Sequence, residues 1–234
     1  MYMIYENIVE GNFLSRPNRF IAKVNIDGRE QTVHVKNTGR CRELLTENAR
    51  VLCEHFPKGK RKTDYDLISV YKGDRLINMD SQAPNRVFGE FLRSERLFRG
   101  IDLIKPETKF GDSRFDFYIE AEERKIFAEV KGVTLEENGV VLFPDAPTQR
   151  GVKHLNELVR AVKEGYEAFA VFVVQMENVR YFTPNAKTHP EFTQALINAR
   201  NSGVNLLCYD CRVTENSLEI NNPVEIAFNS IFNT

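Results

Sequence analysis

Apolar residues recur with period two from Arg19 to Ile26, where Phe20, Ala22, Val24 and Ile26 alternate with other side chains, and the alternation resumes from Glu30 to Val35. Period two sends successive side chains to opposite faces of a strand, and the intervening Asp27-Gly28 is a two-residue hairpin signal. Further strands are predicted over 50–56, 65–71 and 75–79, the last two separated by Gly73-Asp74, with a short helix over 40–48. Short strands packed this densely predict a small barrel, and an oligonucleotide-binding (OB) barrel is the natural candidate.

From Pro84 the period changes. Val87, Phe88, Phe91 and Leu92 have helical spacing. Over Ser113–Glu120 the period returns to two, with Phe115, Phe117 and Ile119 expected on one face, and strands follow over 125–134 and 140–143, the second after Asn138-Gly139. Thr148 is a candidate N-cap for a helix that stops at Gly165, with Val152, Leu155, Val159 and Val162 as its expected apolar stripe. The unbroken apolar run over 169–174 fits a strand covered on both faces. A helix over 189–201 and a buried strand over 204–209 complete the order α-β-β-β-α-β-α-β. The fold class expected is mixed α/β in two domains, a barrel over 1–82 and a second domain over 83–234.

Composition narrows the class without naming a partner. The chain has 234 residues, 42% of them apolar and 28% charged, which describes an ordinary globular protein. No apolar run is long enough to span a bilayer and no secretory signal is recognisable, so the expectation is a cytoplasmic protein without a membrane partner. The 32 basic and 33 acidic residues nearly cancel, but residues 1–80 carry 14 Lys and Arg against 11 Asp and Glu, and the remainder 18 against 22. The four cysteines are expected to be reduced. Cys208 and Cys211 have zinc-ligand spacing, but Cys41 and Cys53 supply no second matching pair, so ordinary thiols are the expectation.

The chemistry concentrates between Ser113 and Lys131. If Glu122-Glu123 forms a tight turn, Asp116 falls opposite Glu129 on the same face, and Lys131 projects from that face two residues on. Two carboxylates side by side are destabilising unless a cation lies between them. Hard oxygen ligands without His or Cys suit magnesium or manganese better than zinc. A solvated polar face is the alternative for an isolated Asp and Glu; here Ile126, Ala128 and Val130 fall on the side opposite Glu129 and Lys131, so the strand has an apolar side to bury. The helix over 148–164 presents Arg150, Lys153, His154 and Glu157 together, a face suited to phosphate or to plain solvent.

Basic residues of the barrel form the other candidate surface. Lys58, Lys60, Arg61 and Lys62 fall in a loop between strands, where such cations commonly line a nucleic-acid groove. Arg19, Arg40 and Arg42 extend the same track.

Several short motifs occur in fixed order: Asn18-Arg19-Phe20, Asn37-Thr38-Gly39, Ser113-Arg114-Phe115-Asp116-Phe117, Glu129-Val130-Lys131-Gly132-Val133-Thr134-Leu135 and Phe143-Pro144-Asp145-Ala146, then Thr148, Arg150-Gly151 and Lys153-His154-Leu155. In these the chain resembles the sugar fermentation stimulation protein A family along nearly its whole length. The resemblance implies an N-terminal OB barrel, a C-terminal restriction-endonuclease-like αβββαβ core of the PD-(D/E)XK type, and DNA binding. It implies Asp116 and Glu129 as metal ligands, with Glu90 on the preceding helix as a third candidate, and Lys131 as the catalytic lysine. Magnesium or manganese is the implied cofactor, DNA the implied partner and RNA the variant. Arg150, Lys153 and His154 would meet phosphates.

Two functions remain open at this level: a metal-dependent nuclease, and a regulator that occupies DNA without cutting it. The absence of a helix-turn-helix pattern weighs against the regulator. Glycoside hydrolysis finds no support, because Lys131 adjoins the carboxylates and the chain has no Trp to stack on a sugar.

Overall fold

The computed structural model describes residues 2–37, 39–56, 59 and 61–228. Thr38, Pro57, Lys58 and Lys60 lie outside the described residues.

The barrel is formed by β2 (Ile8–Asn18), β3 (Ile21–Ile26), β4 (Arg29–Val35), β5 (Arg50–His55) and β6 (Tyr65–Lys72), with β7 (Arg75–Asn78) added beside β6. Neighbours pair antiparallel in the order β4-β3-β2-β5-β6, and a parallel β4–β6 pairing closes the cylinder. This is an OB-like barrel. Asp27 and Gly28 both have positive φ, at 51° and 76°, so the predicted hairpin forms with the twist that favours this turn. Two expectations are corrected. β2 had no predicted counterpart, because it is largely exposed, contains Pro17 and has two register shifts against β3. The segment 40–48 holds turns rather than a helix among its described residues, and it contributes Cys41, Leu44 and Leu45 to the barrel core.

The second domain centres on a seven-stranded sheet in the order β1-β16-β15-β13-β10-β9-β8. Its members are β1 (Met3–Ile4), β8 (Ile101–Phe110), β9 (Ser113–Ala121), β10 (Arg124–Val133), β13 (Glu167–Val174), β15 (Asn205–Val213) and β16 (Ser217–Pro223). β10, β13 and β15 run parallel at the centre, which accounts for the unbroken apolar run in β13. A smaller sheet holds β11 (Leu135–Glu137), β12 (Val140–Phe143) and β14 (Tyr181–Pro184). Helix α1 (Ala83–Arg93) covers one face of the large sheet, while α2 (Gln149–Lys163) and α3 (Pro190–Asn201) belong to the core on the other. β1 pairs with β16, so the expected boundary at residue 82 does not separate all of the barrel half from the second domain: burial of Met3 and Tyr5 against the α1 side carries the N-terminal strand across.

Two details position the site. Val87, Phe88, Phe91 and Leu92 are buried on α1, and the Phe88 ring meets Phe117 edge-on at 5.4 Å; a fully buried Phe contributes roughly 1.5–3 kcal/mol. Gly132 permits the close approach: a Cβ there would lie 2.7 Å from Pro84 Cγ and 2.6 Å from Gln175 Oε1. The junction with the barrel is polar. Asp80, 1% exposed, meets Lys36 at 2.8 Å, and Gln175 donates to Asn78 Oδ1 and to the Asp80 carbonyl.

Among the described residues no helix is long and apolar enough to cross a membrane. All four cysteines are free and buried, which pushes their thiols up in pKa.

Candidate active site

Glu122 and Glu123 form the tight turn between β9 and β10, both with positive φ. The register runs from Ala121–Arg124 to Phe117–Ala128 as the turn dictates, and there the pairing stops. At the next step Asp116 Oδ2 accepts the Val130 amide N–H at 2.8 Å, so a side chain replaces the neighbouring strand as acceptor. The alternation along β9 breaks at the same place. Phe117 and Ile119 pack on the α1 side as expected, but Phe115 packs on the α2 side with Phe110, Phe127 and His154, which corrects the expectation of a single apolar face.

Asp116 Oδ1 accepts from Asn85 Nδ2 of α1 at 2.8 Å. Burial, then the charge of Glu129, pushes its carboxyl up to about 6, against the Val130 amide, Lys131 and Asn85. Glu129 is 4% exposed, and its Oε1 is held by both Lys131 and His154 Nδ1. Burial opposes its ionisation, but His154 and Lys131 outweigh that and hold its carboxyl below the ordinary range. Its Oε2 is buried without a hydrogen-bond partner.

His154 is buried at 4% exposure because the stripe of α2 is turned from the predicted one: Gly151, His154, Leu155, Leu158 and Ala161 face inward, while Val152, Val159 and Val162 are half-buried. Thr148 caps the helix as expected, its side chain accepting from the Gly151 amide at 3.0 Å. The His154 ring therefore lies between Glu129 and Arg150 Nε, the latter 3.4 Å from its Nε2, and not on a solvated phosphate-facing surface. Arg150 is exposed, and Lys153 reaches the Asp112 carbonyl at 2.9 Å.

Glu90 also lies on α1, with Arg93 as its ion-pair partner at 3.6 Å and its Oε2 buried and unpartnered. Among the described residues no group of three or more His, Cys, Asp or Glu side chains is arranged to hold a metal ion, so Glu90 does not complete a three-carboxylate cluster with Asp116 and Glu129. In the barrel, Arg61 pairs with the buried Asp66 and stacks on Phe56 at 3.8 Å, so its charge is largely used internally, whereas Lys62 is exposed. Arg19 and Arg40 line one cavity with Arg16 and Arg42. Asn85 had no sequence signal beyond its place in the first turn after Pro84, and Arg16 had none that separated it from other surface arginines.

Comparison with known proteins agrees with this architecture. The family model described as the sugar fermentation stimulation protein RE domain matches residues 82–217, and the SfsA N-terminal OB domain matches residues 14–79. The chain belongs to the sugar fermentation stimulation protein family. A sugar fermentation stimulation protein homolog of Desulfitobacterium hafniense (strain DSM 10664 / DCB-2) is 60% identical over 224 residues, covering 96% of this chain and 98% of that protein. The homolog of Clostridium beijerinckii is 55% identical over 224 residues, covering 96% and 99%. The solved structure of Pyrococcus furiosus SfsA in complex with Ca2+ superposes with a TM-score of 0.88 at 28% identity, covering 97% of this chain and 100% of that one. The second domain of this family member is accordingly restriction-endonuclease-like in fold.

Proposed function

We propose that this protein is a metal-dependent nuclease that hydrolyses phosphodiester bonds in DNA. The observation that carries the reading is Glu129: a carboxylate buried to 4% exposure, with one oxygen held by Lys131 and His154 and the other without a partner, beside an Asp116 whose carboxyl is pushed up to about 6. An unpartnered buried carboxylate oxygen is costly in a finished fold, and a divalent cation would remove that cost. The donors are hard oxygens, which fit magnesium or manganese, and magnesium is commonly held by one or two carboxylates with water and substrate phosphate completing the shell. Asp116 and Glu129 are the residues that would hold it. When bound, such an ion lowers the pKa of water and neutralises phosphoryl charge.

The side chains around the pair have separable tasks. Lys131 shares the strand face of Glu129 and supplies an ammonium donor to charge developing on a phosphate. His154 fixes Glu129 through Oε1 and leaves Oε2 free. Asn85 fixes Asp116 through Oδ1. Arg150 and Lys153, at the start of α2, would meet a phosphate of the bound strand.

A second reading, a DNA-binding protein that retains the fold without cutting, is favoured by the lack of a three-ligand metal cluster among the described residues. Incubating labelled DNA with the purified protein and magnesium or manganese separates the two. The nuclease reading expects cleavage by the parent and none by Lys131→Ala, with binding retained within a few-fold. No cleavage by the parent with either ion gives the case to the binder.

A further inference from the structure

The tip of the β2–β3 hairpin carries Arg19 and Phe20. Two-residue connections ordinarily take small, turn-forming residues. Here Asn18 does that work: its Oδ1 accepts from the Phe20 and Ile21 amides at 2.9 and 3.1 Å. The apex is thereby free to hold two large side chains, and Phe20 is left 47% exposed with the Arg19 guanidinium 5.0 Å from its ring centroid. No folding requirement puts a phenyl ring at a hairpin apex in water.

Beside the tip lies a cavity of about 320 Å³ lined by Arg16, Asn18, Arg19, Gly39, Arg40 and Arg42. Arg16 builds it. Its Nη1 donates to the Gly39 and Arg40 carbonyls, both at 2.7 Å, and its Nη2 to those of Arg19 and Asn37 at 2.8 and 2.6 Å, which ties the hairpin tip to Asn37, Gly39 and Arg40. Arg19, Arg40 and Arg42 are exposed, and none of them pairs with an acid among the described residues. Three guanidinia without an acidic partner among the described residues, lining one concavity, select an anion with more than one phosphate. The exposed ring selects further: base faces are hidden in a duplex and open in a single strand, so an aromatic platform beside a basic track recognises unpaired bases. Gly39 also lines a second cavity, of about 190 Å³, together with Asn37, Ser81, Gly132, Thr134 and Asp145. Gly39 thus lies on both cavities, and Gly132, on the second, is the chain neighbour of Lys131 in β10.

We infer that the arginine cavity and the Phe20 ring hold single-stranded DNA, its phosphates on Arg19, Arg40 and Arg42 and one base on Phe20, and that a single strand is the form presented to Lys131. The second half of this inference rests on the nuclease reading; the first half does not.

Fluorescence anisotropy with the full-length protein tests it, using labelled oligothymidylate of about 20 nucleotides, longer than the site of one barrel, and a blunt duplex of the same length. The single strand should bind at least about tenfold tighter than the duplex. Phe20→Ala should weaken single-strand binding by roughly five- to 100-fold, the range for loss of one base–aromatic stack. Arg40→Gln combined with Arg42→Gln should flatten the salt dependence by about 1.4 units, from about 0.7 per phosphate contact on a single strand. These side chains are exposed, so thermal melts should match the parent. Duplex binding as tight as single-strand binding, or parental affinity and salt slope in both variants, overturns the inference. Single-strand binding that these variants weaken, in a parent that cuts nothing, removes the nuclease reading and leaves the site standing. A parent that cuts duplex in preference to single strand removes the presentation to Lys131 and leaves the nuclease reading standing.

Discussion

Asp116 accepts the backbone N–H of Val130 at the first step beyond the end of the β9–β10 ladder. That bond draws one carboxylate into the gap where the strands part, next to the carboxylate of Glu129. The pairing of charges and the opening of the strands have a common local cause.

Metal affinity should depend on pH in the acid range. Because the Asp116 carboxyl is pushed up to about 6 in the free protein, a cation must compete with a proton below that pH. Calorimetric titration with manganese should show affinity rising between about pH 5 and pH 7 and levelling above. Asp116→Ala and Glu129→Ala should both abolish binding; unchanged affinity in both variants would remove the site.

The same group should make the metal-free fold more stable in acid than the rest of the chain would predict. Its folded pKa, about 6, exceeds the ordinary value of 3.8, so its contribution is fully present below about pH 4 and is lost as the pH rises through 6. Asp116→Asn should therefore stabilise the metal-free protein at pH 7.5. The expected gain is about 1–2 kcal/mol, two pKa units less one hydrogen bond that an amide cannot accept. The gain should vanish near pH 4. Denaturant melts at the two pH values, with chelator present, check this.

His154 should act on metal binding through Glu129. His154→Ala removes a donor from Oε1 and should lower manganese affinity by about 10- to 100-fold, the usual cost of losing a group that orients a ligand. His154→Gln, which can still donate, should recover part of it. Equal affinity in all three proteins would show that Lys131 alone orients the carboxylate.

Gly132→Ala should destabilise the protein by about 1–3 kcal/mol, since the new Cβ would overlap Pro84 and Gln175. Because Pro84 lies in the first turn of the helix that carries Asn85, the variant should also bind metal more weakly. A melt identical to the parent's would show that α1 has room to shift.

The hairpin that carries Asp116 and Glu129 was legible in the sequence because period two and a two-residue turn fix register together. The break at Asp116 was not, because it depends on a side chain outcompeting a backbone acceptor. His154 was assigned to the polar face of α2 by spacing alone; what turns it inward is a carboxylate on β10, which no local pattern reveals. β8 carries no such signal: it is an edge strand, mostly exposed and interrupted by Pro106, and lacks the apolar alternation that marks β9. A barrel was legible in the density of short strands, but its closure was not, because it rests on the parallel β4–β6 pairing and on β2; the arginine cavity required knowing that Arg16 bridges two segments.

The pairing of β1 with β16 has a consequence for the order in which the molecule can be made. Of the strands described, β1 leaves the ribosome first and β16 last, so the edge of the large sheet stays open until every other described strand has emerged. The barrel, whose strands all fall between residues 8 and 78, can close long before that. It is in effect a completed cassette spliced into a sheet still awaiting its final strand, and expressing residues 83–234 alone would leave that sheet without its β1 edge.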